Sequence, residues 1–120
     1  VTKRKALALV AEWQERLGLR DWEVNVEFKP KKLLPAQMAV NAIHSERRIC
    51  RLDIRWPHRN NAGEPDDLEQ TVVHELVHCW FDSWYPTNPD RNKHKVMVLE
   101  NAVDAIATAL VEAKRSPFPQ

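Results

Sequence analysis

Apolar residues recur along the chain with two different periods, and the points where the period changes divide it into elements. From Lys5 to Leu17, Leu7, Val10, Trp13 and Leu17 fall three and four residues apart among Arg, Lys, Glu and Gln, which predicts an amphipathic helix stopped near Gly18. The period then drops to two. Trp22, Val24, Val26 and Phe28 alternate with Glu23, Asn25 and Glu27, as on a strand with one buried face, and Pro30 ends the run. Met38 to Ser45 reads as a second strand and Ile49 to Trp56 as a third, the latter with Cys50, Leu52, Ile54 and Trp56 on one face. With only Glu46-Arg47-Arg48 between them, these two are expected to pair as an antiparallel hairpin.

Pro57 to Pro65, with Asn60, Asn61 and Gly63, has the composition of a loop. Asp66 with Glu69 three residues on resembles a capping box, so a helix is expected to start near Asp66. It runs through Leu68, Val72 and Cys79 to about Trp84, and Pro86 with Pro89 closes it. Val96, Leu99, Val103, Ile106 and Leu110 then repeat at three- and four-residue intervals, giving a last helix of about six turns. The tail 116–120, Ser-Pro-Phe-Pro-Gln, cannot continue that helix and reads as flexible. The expected fold is a single α+β domain over 1–120, in which a small three-stranded sheet, mixed or antiparallel, is flanked by these helices. A chain of this length buries about two-thirds of the surface it exposes when unfolded, enough for one core.

Charge narrows the partners. Lys and Arg number 18 and Asp and Glu 17, a near-zero balance that gives no electrostatic reason to expect nucleic acid or an anionic membrane. Val1-Thr2-Lys3-Arg4-Lys5 is charged and then amphipathic, without an apolar stretch long enough for a signal peptide or a membrane span, so a cytoplasmic site of action is expected. Cys50 and Cys79 are too few for a disulfide framework and are expected as buried free thiols. The five tryptophans, Trp13, Trp22, Trp56, Trp80 and Trp84, are expected to fill the core.

The chemistry concentrates in His74-Glu75-Leu76-Val77-His78, an H-E-x-x-H run inside the central helix. Positions four apart on a helix lie one turn above each other, so both imidazoles point the same way, close enough to share one metal ion. Glu75 is then placed to take a proton from a metal-bound water, the division of labour this spacing supplies in zinc hydrolases. The alternative is two surface histidines around a solvated glutamate, and a third ligand decides between them. Glu100 follows His78 by 22 residues and, four after Val96 and three before Val103, is expected on the buried side of the last apolar stripe. Asp104, one turn on, faces the same way. Two carboxylates in a core are costly unless a cation neutralises them; otherwise helix rotation carries both to the stripe's edge and into water. Beside the two histidines, a metal site is the better account.

H-E-x-x-H followed by E-x-x-x-D on a later helix resembles the gluzincins, the zinc peptidase clan that includes thermolysin. The short chain is similar to the clan's compact, minimal members, including uncharacterised phage-type peptidases. The order helix, three strands, metal helix, last helix also resembles the zincin-like catalytic core, from about Lys5 to Leu110. The resemblance implies one Zn2+ per chain bound by His74, His78 and Glu100, with Glu75 as general base and Asp104 orienting His74. Three protein ligands leave a fourth position for water, whose pKa a catalytic zinc brings to about 7. The implied reaction is hydrolysis of a peptide or protein substrate docked along a sheet edge, for which Met38 to Ser45, with Asn41 and Ala42, is the choice.

Larger gluzincins add a His or Tyr from a further subdomain to stabilise the oxyanion, and this chain has no room for that subdomain. Tyr85, His44, His58 and His94 are the candidates, none favoured. A weaker resemblance is to the SprT-like proteases, whose third ligand is a histidine some fifteen residues on and which carry a nucleic-acid context. His94 is 16 residues after His78, but no Cys-rich zinc module follows, the composition is not basic, and Glu100 with Asp104 would go unexplained. A non-enzymatic zinc-containing interaction module is the rival from another class. A corollary of the peptidase reading lays the tail, 116–120, in the cleft as a restraint.

Overall fold

The first helix ends as its sequence demands. In the computed structural model, which describes residues 1–117, helix α1 spans Lys3–Arg16, and Thr2 caps it by accepting from the Lys5 N–H at 3.1 Å. Gly18 takes φ +70°, which lets its own N–H reach Glu15 O and that of Leu19 reach Gln14 O, a Schellman closure that drops Leu19 into the core. The buried line on α1 is Ala6, Val10 and Trp13, not the Leu7 line expected from the large side chains; Leu7 is exposed.

Strands β1 (Glu23–Lys29), β2 (Ala39–His44) and β3 (Ile49–Arg55) form a mixed sheet in the order β1-β3-β2. The hairpin is antiparallel as expected, pairing Asn41 with Leu52, whereas β1 runs parallel to β3, Val26 opposite Leu52. With β3 in the middle, β2 keeps one edge without a strand partner among the described residues. One sheet face packs on the helices through Cys50, Leu52, Ile54 and Ala39, and the other carries Glu23, Asn25, Glu27, Arg51 and Asp53 into or towards water. Asn41, in register with Leu52, lies on the helix side.

Helix α2 (Leu68–Phe81) crosses that face, followed by a short 3-10 turn at Asp82–Trp84, and helix α3 (Lys93–Arg115) packs beside it. The cap falls one residue later than the capping box predicts: Asp67 accepts from the Gln70 N–H at 3.1 Å. Asp67 is also gripped by Arg115 through two bonds of 2.7 and 2.9 Å. Glu69, freed from capping, turns inward, where its carboxylate takes the Trp13 indole N–H at 2.7 Å and Lys114 at 2.5 Å. The long helix buries Leu99, Val103, Ala107 and Val111, a line of fours, while Ile106 is left partly exposed. Ser116 leaves the helix in an extended conformation, and the rest of the tail, at 118–120, lies outside the described residues, as does its suggested place in the cleft.

Both cysteines are buried and free, as expected. The tryptophans divide differently from the expectation. Trp13 alone is fully enclosed, Trp22 and Trp56 are half-buried, and Trp80, near the end of α2, and Trp84, in the turn after it, are exposed. Trp80 nevertheless donates to Leu17 O at 2.8 Å, sealing the end of α1. Arg55 is 2% exposed and bonds to Leu34 O, Arg59 O and Asn61 Oδ1, so one buried guanidinium organises the loop after β3. No helix among the described residues is long and apolar enough to cross a membrane.

Burial pushes the Glu69 carboxyl up, but hydrogen bonds from Lys114 and Trp13 outweigh it and hold the group below its ordinary range. A carboxyl depressed in the folded state stabilises at pH values above its unfolded pKa of about 4.3, and that stability is lost as pH falls through the folded value. Glu69→Ala is therefore expected to cost about 1–3 kcal/mol at neutral pH, since it strands the buried Trp13 indole N–H and leaves the Lys114 ammonium with Glu12 alone. In urea titrations the gap from wild type should narrow below about pH 4; an equal gap at both pH values would show that the carboxylate charge is not what holds α1, α2 and α3 together.

Candidate metal centre

Helices α2 and α3 run antiparallel, and their facing polar residues form a ladder. Gln70 donates to Thr108 Oγ1 at 3.1 Å, His74 Nδ1 lies 3.4 Å from Asp104 Oδ1, and His78 Nε2 lies 3.5 Å from Glu100 Oε2. Each step of four along α2 is matched by four back along α3. This is the contact set that two antiparallel helices in fixed register present along one seam.

Three ligand atoms converge in that seam. His74 Nε2 and His78 Nε2 are 3.3 Å apart, and Glu100 Oε2 is 3.5 Å from each. A tetrahedral ion bound at about 2.0–2.1 Å requires its ligands to stand about 3.3–3.4 Å from one another, so the triangle has the size of one tetrahedral face. Two imidazoles and a carboxylate suit zinc and other first-row divalent ions. Among the described residues this is the one such group of histidine, cysteine and acidic side chains that could hold a metal. The Asp104 carboxylate stands 3.4 Å from His74 Nδ1, on the side of the ring away from the triangle, where its charge favours a proton on Nδ1.

Burial of the two acids differs from the expectation. Because the buried line of α3 is Leu99, Val103, Ala107 and Val111, Glu100 and Asp104 each sit one residue past it, about 100° round the helix. Their side chains are 44% and 66% exposed, at the rim of a cleft rather than in the core. A desolvation penalty is thus not what points to a cation here. The convergence of three acceptor atoms is.

Glu75 projects from the other flank of α2 and is 9% exposed. Burial pushes its carboxyl up to about 7, against the opposing pull of a hydrogen bond from Asn41 and of the nearby His74. Asn41 Nδ2 donates to Glu75 Oε2, so β2 holds the carboxylate from across the cleft. The cleft itself, about 540 Å³, opens between the free edge of β2 and the α2–α3 seam and contains His74, Glu75, His78, Glu100 and Asp104 together. Sequence reasoning missed Asn41 as a partner of Glu75, since nothing local to a half-polar strand reveals which helix residue it will meet.

Of the four side chains considered for oxyanion contact, Tyr85 alone lines the cleft. Its hydroxyl donates to Glu100 Oε1 at 2.7 Å and stands 3.2 Å from His78 Nδ1. Burial, with the Glu100 carboxylate, pushes its ionisation above the ordinary range, so it remains a donor. His44 and His94 are exposed, and neither joins the ligand group. His58 is buried against Arg55 O and Thr71 Oγ1 in the loop before α2, a structural position. Comparisons with protein-family models, with curated proteins and with solved structures find no match to this chain.

Proposed function

We propose that the chain is a zinc-dependent peptidase of the gluzincin type, acting on peptide or protein substrates in the cytoplasm. The observation that carries this reading is the near-equilateral triangle of His74 Nε2, His78 Nε2 and Glu100 Oε2, with a buried carboxylate, Glu75, beside it in the same cleft. When bound there, zinc supplies a Lewis acid that polarises a carbonyl and lowers the pKa of water. The chain's own residues do the rest. Glu75 accepts a proton from the attacking water and returns it to the departing amine, a shuttle suited to a carboxyl near neutrality. Asn41 holds one oxygen of that carboxylate, leaving the other for the water. Asp104 keeps the His74 imidazole turned towards the metal position.

The free edge of β2 supports the same reading. Arg55 N–H donates to Met38 O at 2.9 Å, so by the alternation of an antiparallel ladder Val40 and Ala42 bond inward to β3. Ala39, Asn41 and Ile43 then present their N–H and C=O to the cleft side, where an extended peptide can add as a further strand. The SprT-like alternative draws no support from His94, which is exposed and outside the ligand group.

Zinc titration of metal-free protein should give one tight site per chain, lost in His78→Ala and Glu100→Ala and kept in His94→Ala. Retained affinity in Glu100→Ala with lost affinity in His94→Ala would transfer the third ligand and the family with it. Glu75→Gln should keep its zinc yet lose hydrolysis of an unfolded protein substrate by at least about a hundredfold, the scale of a general base; wild-type turnover in that variant eliminates the proposed role. For the docking edge, Asn41→Ala and Asn41→Pro are compared, since both lose the amide on Glu75 and only proline also lacks the outward N–H. A KM higher for proline than for alanine is expected, and equal values would move substrate docking off β2.

A further inference from the structure

Tyr85 touches two of the three ligand residues, and the polarity of its contacts fixes what it does to each. It follows the Asp82–Trp84 turn, seven residues after His78, and its ring leans on the His78 imidazole with centroids 5.6 Å apart. The phenol has one proton, which goes to Glu100 Oε1, because a carboxylate can only accept. Towards His78 Nδ1, 3.2 Å away, the oxygen is therefore an acceptor, and the imidazole proton sits on Nδ1. His78 Nε2 is left with its lone pair, and it is this atom that faces His74 Nε2 and Glu100 Oε2. On the carboxylate, tying down Oε1 rotates Oε2 into the triangle.

We propose that Tyr85 is a positioning residue of the metal centre, setting the tautomer of His78 and the rotation of the Glu100 carboxylate through one hydroxyl. The inference rests on reading His74, His78 and Glu100 as metal ligands. Its two polar contacts are to atoms on the far sides of their groups, Nδ1 opposite Nε2 and Oε1 opposite Oε2, so the hydroxyl braces the ligands from outside the triangle. That placement assigns it to orientation rather than to oxyanion contact. Asp104 orients His74 alone, from an exposed position and at 3.4 Å. Tyr85 is the side chain that spans from α2's last histidine to α3's acid, so the third ligand depends on it directly.

Tyr85→Phe keeps the ring against His78 and removes only the hydroxyl. Zinc affinity, measured by chelator competition on the full chain, is expected to fall about ten- to a hundredfold, the scale on which outer partners of metal ligands act. Nitrogen NMR of the metal-free protein at about pH 8, above the ordinary histidine range, reads the tautomer directly. His78 should be the Nδ1–H form in wild type and a mixture in Tyr85→Phe. Wild-type affinity in the variant overturns the inference, and so does a weakened site with the His78 tautomer unchanged, which would reduce the tyrosine to packing. Titrations are run well below the melting temperature of each metal-free protein, so that loss of fold is not read as loss of ligand geometry. Should wild type itself bind no zinc, the metal reading fails together with this one. Zinc lost in His78→Ala but unaffected in Tyr85→Phe overturns the role of Tyr85 alone.

Discussion

The register between α2 and α3 is the constraint on which the site depends. Gln70 with Thr108, His74 with Asp104 and His78 with Glu100 are successive rungs of one antiparallel seam. Sliding α3 by one residue would move each partner about 1.5 Å along and about 100° round the helix, and every rung would be lost at once. Apolar packing alone specifies such a register poorly, since a line of Leu99, Val103, Ala107 and Val111 can slip by a turn and still be buried. The specification comes from the charged end. Arg115 grips Asp67, and Lys114 grips Glu69, tying the last turn of α3 to the first turn of α2. Because Trp13 donates to the same Glu69, the register of the seam is anchored to α1 as well.

At the other end of the seam the two helices are joined by the single connection 82–92, and the cross-links there are the site residues themselves. Tyr85 joins the exit of α2 to Glu100, near the start of α3. The Asp82–Trp84 turn makes that link possible, because it ends α2 and brings the chain back to where a side chain can reach across to α3. Asn41 makes the corresponding link from the sheet, fastening Glu75 to β2. The triangle of ligand atoms, the buried Glu75 carboxylate and the edge of β2 are thus brought together around α2.

Much of this was legible in the sequence, and what was not failed for identifiable reasons. Strong periods gave α1, α3, β1 and β3, composition gave β2, and cap and proline signals gave α2, which ends at Phe81 rather than near Trp84; Gly18 closes α1 by the left-handed conformation glycine permits. Two helix faces were read slightly rotated. On both α1 and α3 the expectation followed the large residues, Leu7 and Ile106, whereas the buried lines run through Ala6 and Ala107. Where helix axes approach closely, alanine takes the contact line and its bulky neighbour is displaced to the flank, so a stripe drawn from large side chains alone is turned by one position. The rotation of α3 is towards Glu100 and Asp104 rather than away from them; they stand at the rim because each follows a buried residue, Leu99 or Val103, by one position, about 100° round the helix. The parallel pairing of β1 with β3, the burial of Arg55 and the meeting of Asn41 with Glu75 are decided by contacts distant in sequence, to which no local period corresponds.

The triangle of acceptors is a costly arrangement for a chain to hold on its own. Two imidazole nitrogens and a carboxylate oxygen face one another at 3.3 to 3.5 Å, and an inward lone pair on both nitrogens requires each imidazole to carry its proton on Nδ1. That cost is opposed by groups outside the triangle: the Asp104 carboxylate stands 3.4 Å from His74 Nδ1, and the Tyr85 hydroxyl accepts from His78 Nδ1 while donating to Glu100. Each outer contact favours the rotamer or tautomer that exposes an acceptor inward, which is the condition for a site that meets a cation already assembled. Partial exposure of Glu100 and Asp104 also moderates the repulsion, because water at the rim screens two carboxylates that a closed core would not tolerate. A rim position is therefore the physical compromise for these acids, open enough for water to reach both carboxylates and braced enough to hold the ligand atoms at the spacing a tetrahedral ion needs.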